Sequence, residues 1–200
     1  IYTLSLHDAL PILVILKPEP LYRAVRDVHT RTAAYEMQRS TIIFDPAGDV
    51  FTQDTAKELA SCEQLILICG HYEGFDARIY DLADRLISVG DFVLTGGEIP
   101  AMLVVDATAR MLPGVLGDAE SAPTDSFFDG LLGYPQYTRP REFEGRAVPE
   151  VLLSGNHAEI SRWRREQSIL ATLRHRPELL ARAELSKEDL DFLARQREIE

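Results

Sequence analysis

Leu94-Thr95-Gly96-Gly97-Glu98-Ile99-Pro100-Ala101 joins an apolar, strand-like segment to an amphipathic one. Two adjacent glycines remove both Cβ atoms at this seam, which frees φ and lets backbone amides and carbonyls come close to a ligand. An isolated glycine pair is more often a simple tight turn. Here the design recurs twice upstream, in Ile42-Ile43-Phe44-Asp45-Pro46-Ala47-Gly48 and in Leu65-Ile66-Leu67-Ile68-Cys69-Gly70-His71-Tyr72-Glu73-Gly74. Each is an apolar run ending in a glycine-bearing loop. Unbroken Val/Ile/Leu runs mark strands covered on both faces, and such strands belong to parallel sheets with helical crossovers. Helical spacing falls between them, in residues 52–61 (TQDTAKELAS), 75–82 (FDARIYDL) and 99–111 (IPAMLVVDATARM), the last placing Met102, Val105, Asp106 and Ala109 in helical register. The expected fold class is therefore α/β with an open parallel sheet. Loops after its strands gather along one edge, which is where such sheets bind ligands. Neither GxGxxG nor GxxxxGK[ST] occurs, so dinucleotide and triphosphate binding lack their usual residues.

The 200 residues suffice for one ordinary domain and a small one. No apolar stretch approaches the ~20 residues of a membrane span, and the first residues lack the basic start of a secretory signal. Cys62 and Cys69 follow no metal or redox spacing, which fits a reduced, cytoplasmic protein. The net charge of -11 is unevenly placed: residues 41–130 hold 16 Asp/Glu against 4 Lys/Arg, and the remainder is nearly neutral. Within that remainder, residues 157–176 (HAEISRWRREQSILATLRHR) carry five arginines around Trp163. Such a stretch is either a solvated helix face or a phosphate-binding one.

Five segments taken together carry a resemblance: CGHYEGFDAR (69–78), SVGDFVLTGGEIPAM (88–102), PGVLGDAESAPTDSF (113–127), YPQYTRP (134–140) and LLSGNHAEISRWRR (152–165). In that order they resemble the bacterial tRNA (guanine-N1)-methyltransferase family, TrmD, of the SPOUT class. The resemblance implies a deep trefoil knot in the α/β domain, S-adenosylmethionine bound in the knot loops, a homodimer, and a small helical C-terminal domain that grips tRNA. It divides the chain into a knotted donor-binding domain (13–116), a linker (117–133) and the tRNA domain (134–200). Residues 1–12 (IYTLSLHDALPI) do not match and read as translated sequencing adapter. Family members carry several tens of residues before Lys17-Pro18-Glu19-Pro20-Leu21, so the chain reads as an N-terminally truncated member. A further departure is Asp45-Pro46-Ala47-Gly48, where relatives often have a Ser-Pro-Gln-Gly-type turn.

The implied activity is methyl transfer to guanine N1 of the guanosine just 3′ of the tRNA anticodon, guanosine-37. That chemistry needs a group to take the N1 proton, a group to stabilise charge on O6, and a sulfonium in line with N1. By resemblance Asp125 is the general base and Arg110 the arginine near O6. By themselves they read as a turn-capping aspartate and a cation at a helix C-terminus. The implied donor pocket takes Phe44, Asp45 and Pro46 from the first loop and Gly70, Tyr72, Glu73 and Gly74 from the second. The third loop adds Ser88, Val89, Gly90, Asp91, Phe92, Val93 and Leu94, then Gly96, Gly97 and Pro100. Glu73 and Asp91 are its charged exceptions, and each either caps a turn or touches the donor or an associated Mg2+ ion. No resident metal site is expected. The implied tRNA contacts are Arg139, His157, Arg162, Arg164 and Arg165. Residues 156–173 read as a long helix, and Ser186-Lys187-Glu188-Asp189 opens another with a capping-box pattern. The competing readings are a fragment that binds donor and RNA without turnover, and a related SPOUT enzyme acting elsewhere on RNA. The segments GNHAEI and TRPREFEG disfavour the second of these.

Overall fold

The computed structural model describes residues 15–71, 74–117 and 124–197, in two compact units that divide between Gly117 and Asp118. The first unit runs α1 (Pro18–Arg31), β1 (Arg39–Val50), α2 (Gln53–Ala60), β2 (Gln64–Ile68), a 3-10 turn (Ala77–Leu82), β3 (Arg85–Ser88) and α3 (Glu98–Ala109). Its strands pair in parallel in the order β2-β1-β3, with Arg39 opposite Gln64 and Ile43 opposite Ile68. Side chains alternate across the sheet. Ile43, Ile66 and Ile68 pack against Leu21, Val25 and Val28 of α1, whereas Ile42, Leu67 and Ile87 pack against Leu59 of α2 and Ala101 and Val104 of α3. Both faces are covered, which is why the strands read as unbroken apolar runs. Ile42 and Ile43 are fully buried, and each such side chain contributes about 1.5–3 kcal/mol relative to exposure.

Local signals set the helix starts. α1 opens on Pro18, whose missing N–H is one a first turn leaves unbonded anyway. At α2 the Thr52 hydroxyl accepts from the Thr55 amide at 3.3 Å while Thr55 Oγ1 accepts from the Thr52 amide at 3.4 Å. Of residues 75–82 only Ala77–Leu82 is helical, and it is tighter than the spacing predicts. There Asp76 accepts from the Arg78 amide at 3.0 Å and guanidinium at 2.8 Å, and that partner holds its carboxyl at about 2.

Two expectations need correction. Residues 45–48 are not a loop after β1 but a bulge within it, since both Phe44 and Asp49 register with Ile87. A Cβ on Gly48 would stand 2.5 Å from the backbone of Leu86 and Ile87, so only glycine lets the bulge close. In α3 the buried face is Pro100, Ala101, Val104 and Thr108, and Met102 is 71% exposed. Residues 99–105 are apolar on every side, so periodicity selects no face there.

The second unit contains the hairpin β4 (Glu142–Phe143) and β5 (Arg146–Ala147), α4 (His157–His175), α5 (Lys187–Arg197) and 3-10 turns at Glu150–Leu153 and Pro177–Ala181. Asn156 caps α4 by accepting from the Glu159 amide at 3.4 Å. Its core is Leu131, Ile169 and Leu193. Leu131 is 1% exposed, and the Leu132 amide donates to Thr172 Oγ1 at 2.9 Å, so the end of the stretch read as a linker is packed into this unit. Among the described residues no helix is long and apolar enough to cross a membrane.

The capping box at α5 is formed by Ser186 and Asp189: Asp189 Oδ2 accepts from the Ser186 amide at 3.0 Å, and Ser186 Oγ accepts from the Asp189 amide at 3.1 Å. Arg165 completes it, donating to Asp189 at 3.0 Å and also pairing with Asp129. Burial alone would push the Asp189 carboxyl up, but hydrogen bonds from Arg165 and Ser186 outweigh it and hold the group below the usual carboxylate range. A depressed carboxyl stabilises the fold at pH above its unfolded value of about 3.9, and that contribution is lost as pH falls through the folded value. Asp189→Asn should destabilise this unit by about 2–3 kcal/mol at neutral pH, less than a fully buried pair because Arg165 is partly exposed. The loss should shrink as pH drops below about 4, where the unfolded chain's carboxyl protonates, and vanish once pH has passed the lower folded value. Urea unfolding followed by Trp163 fluorescence across that range checks both the size and the pH window.

Candidate active site

The bulge of β1 and the carboxyl ends of β2 and β3 open onto one cavity of about 260 Å3. Phe44, Asp45 and Pro46 reach it from the β1 bulge, Gly70 and Gly74 from the segment after β2, and Ser88, Val89, Gly90, Phe92, Val93 and Leu94 from the segment after β3. Gly96, Gly97 and Pro100 close it at the start of α3. The three glycine-bearing segments thus converge on one sheet edge. Of the remaining residues expected at the donor pocket, Tyr72 and Glu73 lie outside the described residues, and Asp91 is exposed and outside the lining.

The glycine pair acts differently from expectation. Gly97 has an ordinary φ of -79°, so freed φ is not its purpose. What matters is the missing side chain. A Cβ on Gly97 would stand 2.7 Å from Cys69 Cα and 3.0 Å from the Gly70 nitrogen, and one on Gly96 would stand 2.8 Å from the His71 ring. The two segments touch backbone to backbone, with the Gly97 amide donating to Gly70 O at 2.8 Å and an antiparallel bridge between His71 and Gly96. Left-handed backbone occurs instead at Gly74 (φ 110°) and Gly90 (φ 141°), both in the cavity wall.

Sequence reasoning missed His71, Ile87 and Thr95 in the lining, and the pair His71 Nε2–Glu98 Oε1 at 2.6 Å. This half-buried contact ties the segment after β2 to the first turn of α3. The available signal was a histidine directly after Gly70 and a glutamate directly after Gly97. Cys69 is buried, and burial, then the Glu98 charge, pushes its thiol up to about 11. Asp45 lines the cavity but is already engaged, accepting from Tyr80 Oη at 2.5 Å and from the Ala47 amide at 2.8 Å. The Tyr80 hydroxyl is pushed up to about 12, by that hydrogen bond first. Asp45 therefore anchors the bulge.

Arg110 is the C-cap of α3, its amide bonded to Asp106 O at 3.2 Å. Asp125 lies in the second unit, exposed, with its carbonyl accepting from the Phe128 amide at 3.4 Å. On α4, Arg162 is 77% exposed beside Glu166 at 3.8 Å, and His157 is exposed. Arg164 stacks over the Tyr134 ring with Cζ 4.9 Å from its centroid, and Arg139 is exposed. Arg165 differs, because its guanidinium is consumed by Asp189, Asp129 and Glu184 O. Among the described residues no three His, Cys, Asp or Glu side chains gather as a metal site.

A family model described as tRNA (Guanine-1)-methyltransferase TrmD matches residues 12–182. The chain belongs to this family. Curated relatives in the TrmD family agree. The tRNA (guanine-N(1)-)-methyltransferase of Moorella thermoacetica is 56% identical over 181 residues, covering 90% of this chain and 72% of the relative. That of Syntrophotalea carbinolica is 53% identical over 180 residues, covering 90% and 71%, and that of Staphylococcus carnosus 52% identical over 181 residues, covering 90% and 72%. Membership in the TrmD family makes the chain a methyltransferase by class.

Proposed function

We propose that this protein methylates N1 of guanine in tRNA, at the guanosine just 3′ of the anticodon, with S-adenosylmethionine as donor. The convergence of three glycine-bearing segments on one cavity, in a chain that matches the TrmD family across residues 12–182, carries this reading. The lining suits such a donor. Apolar surfaces of Phe44, Leu94 and Pro100 offer flat packing for an adenine, and the glycine backbones leave amides and carbonyls bare to read its edges. The cavity of about 260 Å3 falls just short of the roughly 300–1,000 Å3 typical of small-molecule sites.

When bound, the donor supplies an electrophilic methyl group on a sulfonium. This chain's residues do the rest. Asp125 takes the proton from guanine N1, and Arg110 balances negative charge building on O6. The exposed apolar residues of α3, Ile99 at 59%, Met102 at 71% and Leu103 at 45%, support a homodimer that covers them. We further assign the first unit the knotted SPOUT topology, the second the tRNA domain, and the protein to the cytoplasm. The reaction is tested by incubating the protein with labelled donor and tRNA transcripts that carry guanosine or adenosine at the target position. Label on the guanosine transcript alone is expected. Transfer to both, or to neither, overturns the assignment.

Arg162 and Arg164 are assigned to tRNA phosphates, and Arg165 to the fold. Replacing Arg162 and Arg164 by alanine should weaken tRNA binding and lower the slope of log affinity against log salt by about one unit per lost contact. Filter binding across a salt series reads it directly. An unchanged slope would make α4 a solvated face.

A further inference from the structure

The second unit carries a cavity whose aromatic walls the methyl-transfer reading does not use. It measures about 540 Å3 and lies between residues 134–141, the Glu150–Leu153 turn and α4. Its walls hold three aromatic rings, Tyr134, Tyr137 and Trp163, and three arginines, Arg139, Arg141 and Arg164, with no carboxylate among the lining residues. Tyr137 and Trp163 stand 6.3 Å apart with their planes tilted by 52°, and Tyr137 is 47% exposed. Arg164 is held over Tyr134, and Arg141 donates to Glu150 at 2.6 Å.

We propose that this cavity holds one unstacked nucleobase of a single-stranded RNA loop, against Tyr137 and Trp163, with Arg139 and Arg164 on the flanking phosphates. The proposal rests on the reading that tRNA is the substrate, and adds to it a base-stacking site separate from the methyl-donor cavity. Any base presents a π face, and RNA loops splay their bases onto aromatic side chains and guanidinium planes. A proline-rich peptide also favours aromatic grooves, but it brings no anion for the arginines at this one. The cavity therefore combines a stacking surface with the charge a phosphate backbone requires.

Trp163 is the sole tryptophan, so its emission reports on the cavity in the intact protein. The probes are a short single-stranded oligoadenylate, an abasic strand of equal length, an oligoproline and the tRNA transcript. Oligoadenylate should quench Trp163. The abasic strand should bind about ten- to a hundredfold more weakly without quenching. Tyr137→Ala should weaken oligoadenylate and tRNA binding by about tenfold or more while leaving the salt slope unchanged, because no ionic contact is lost, and Tyr137→Phe should restore affinity. Equal binding and quenching by the abasic strand, or no effect of Tyr137→Ala on a folded protein, overturns the stacking site while salt-sensitive tRNA binding stands. Quenching by oligoproline alone makes the cavity a peptide groove. Failure of every RNA to bind overturns the tRNA reading as well.

Discussion

Asp125→Asn should lower methyl transfer by about 100- to 10,000-fold, the usual loss when a general base is removed. The substitution isolates one chemical property. An amide keeps the shape of the side chain and its capacity to accept a hydrogen bond, but it does not take a proton from guanine N1 at neutral pH. Donor affinity should be unchanged, because the proposed donor cavity is lined by residues of the first unit and Asp125 is in the second. The fold should also persist, since the side chain is exposed and asparagine keeps its shape. Single-turnover transfer from labelled donor measures the chemistry, and calorimetric donor titration measures binding. A variant within a few-fold of wild type would remove Asp125 from the base role. Joint loss of transfer and donor affinity would make it a binding residue instead.

What the sequence disclosed and what it withheld follow from the range of the interactions involved. A strand covered on both faces leaves a local mark, so Leu65 to Ile68 and Ile42 to Ile43 announce a parallel sheet, and the edge rule for such sheets places the post-strand loops together. Helix caps are equally local: Thr52, Asn156 and Ser186 act within three residues of their own positions. Contacts between distant segments leave no such mark. His71 and Glu98 are 27 positions apart, and the glycine before each marks a cavity segment without saying that the two side chains meet at 2.6 Å. Arg165 looks like its neighbours Arg162 and Arg164 in a basic stretch, yet Asp189, 24 positions later, turns it into a structural residue. The apolar run of α3 withheld its buried face for a different reason, since a segment apolar all round has no direction to read.

The glycine pair that decided the fold yields the second large effect. Gly97→Ala adds one methyl group, and in an ordinary helix-start position with φ of -79° it would be tolerated. Here that carbon would stand 2.7 Å from Cys69 Cα, 3.0 Å from the Gly70 nitrogen and 3.1 Å from Cys69 Cβ. Two of these neighbours are main-chain atoms at the end of the sheet, so no side-chain rotation relieves the clash. The segments must separate, which lengthens the bond from the Gly97 amide to Gly70 O and shifts the His71–Gly96 bridge. Inserting a methylene into a close-packed site costs about 1–3 kcal/mol. Because the displaced backbone is the cavity wall, that cost should appear as donor affinity lowered by about 5- to 150-fold, with transfer falling alongside. Gly114→Ala is the matched control for added bulk, since among the described residues a Cβ there meets nothing within 4 Å, although its φ of 79° carries backbone strain. That variant should lose stability without losing donor affinity. If Gly97→Ala binds donor as tightly as wild type, the contact between these segments does not shape the donor site, and the cavity at the edge of the sheet loses its claim to the methyl donor.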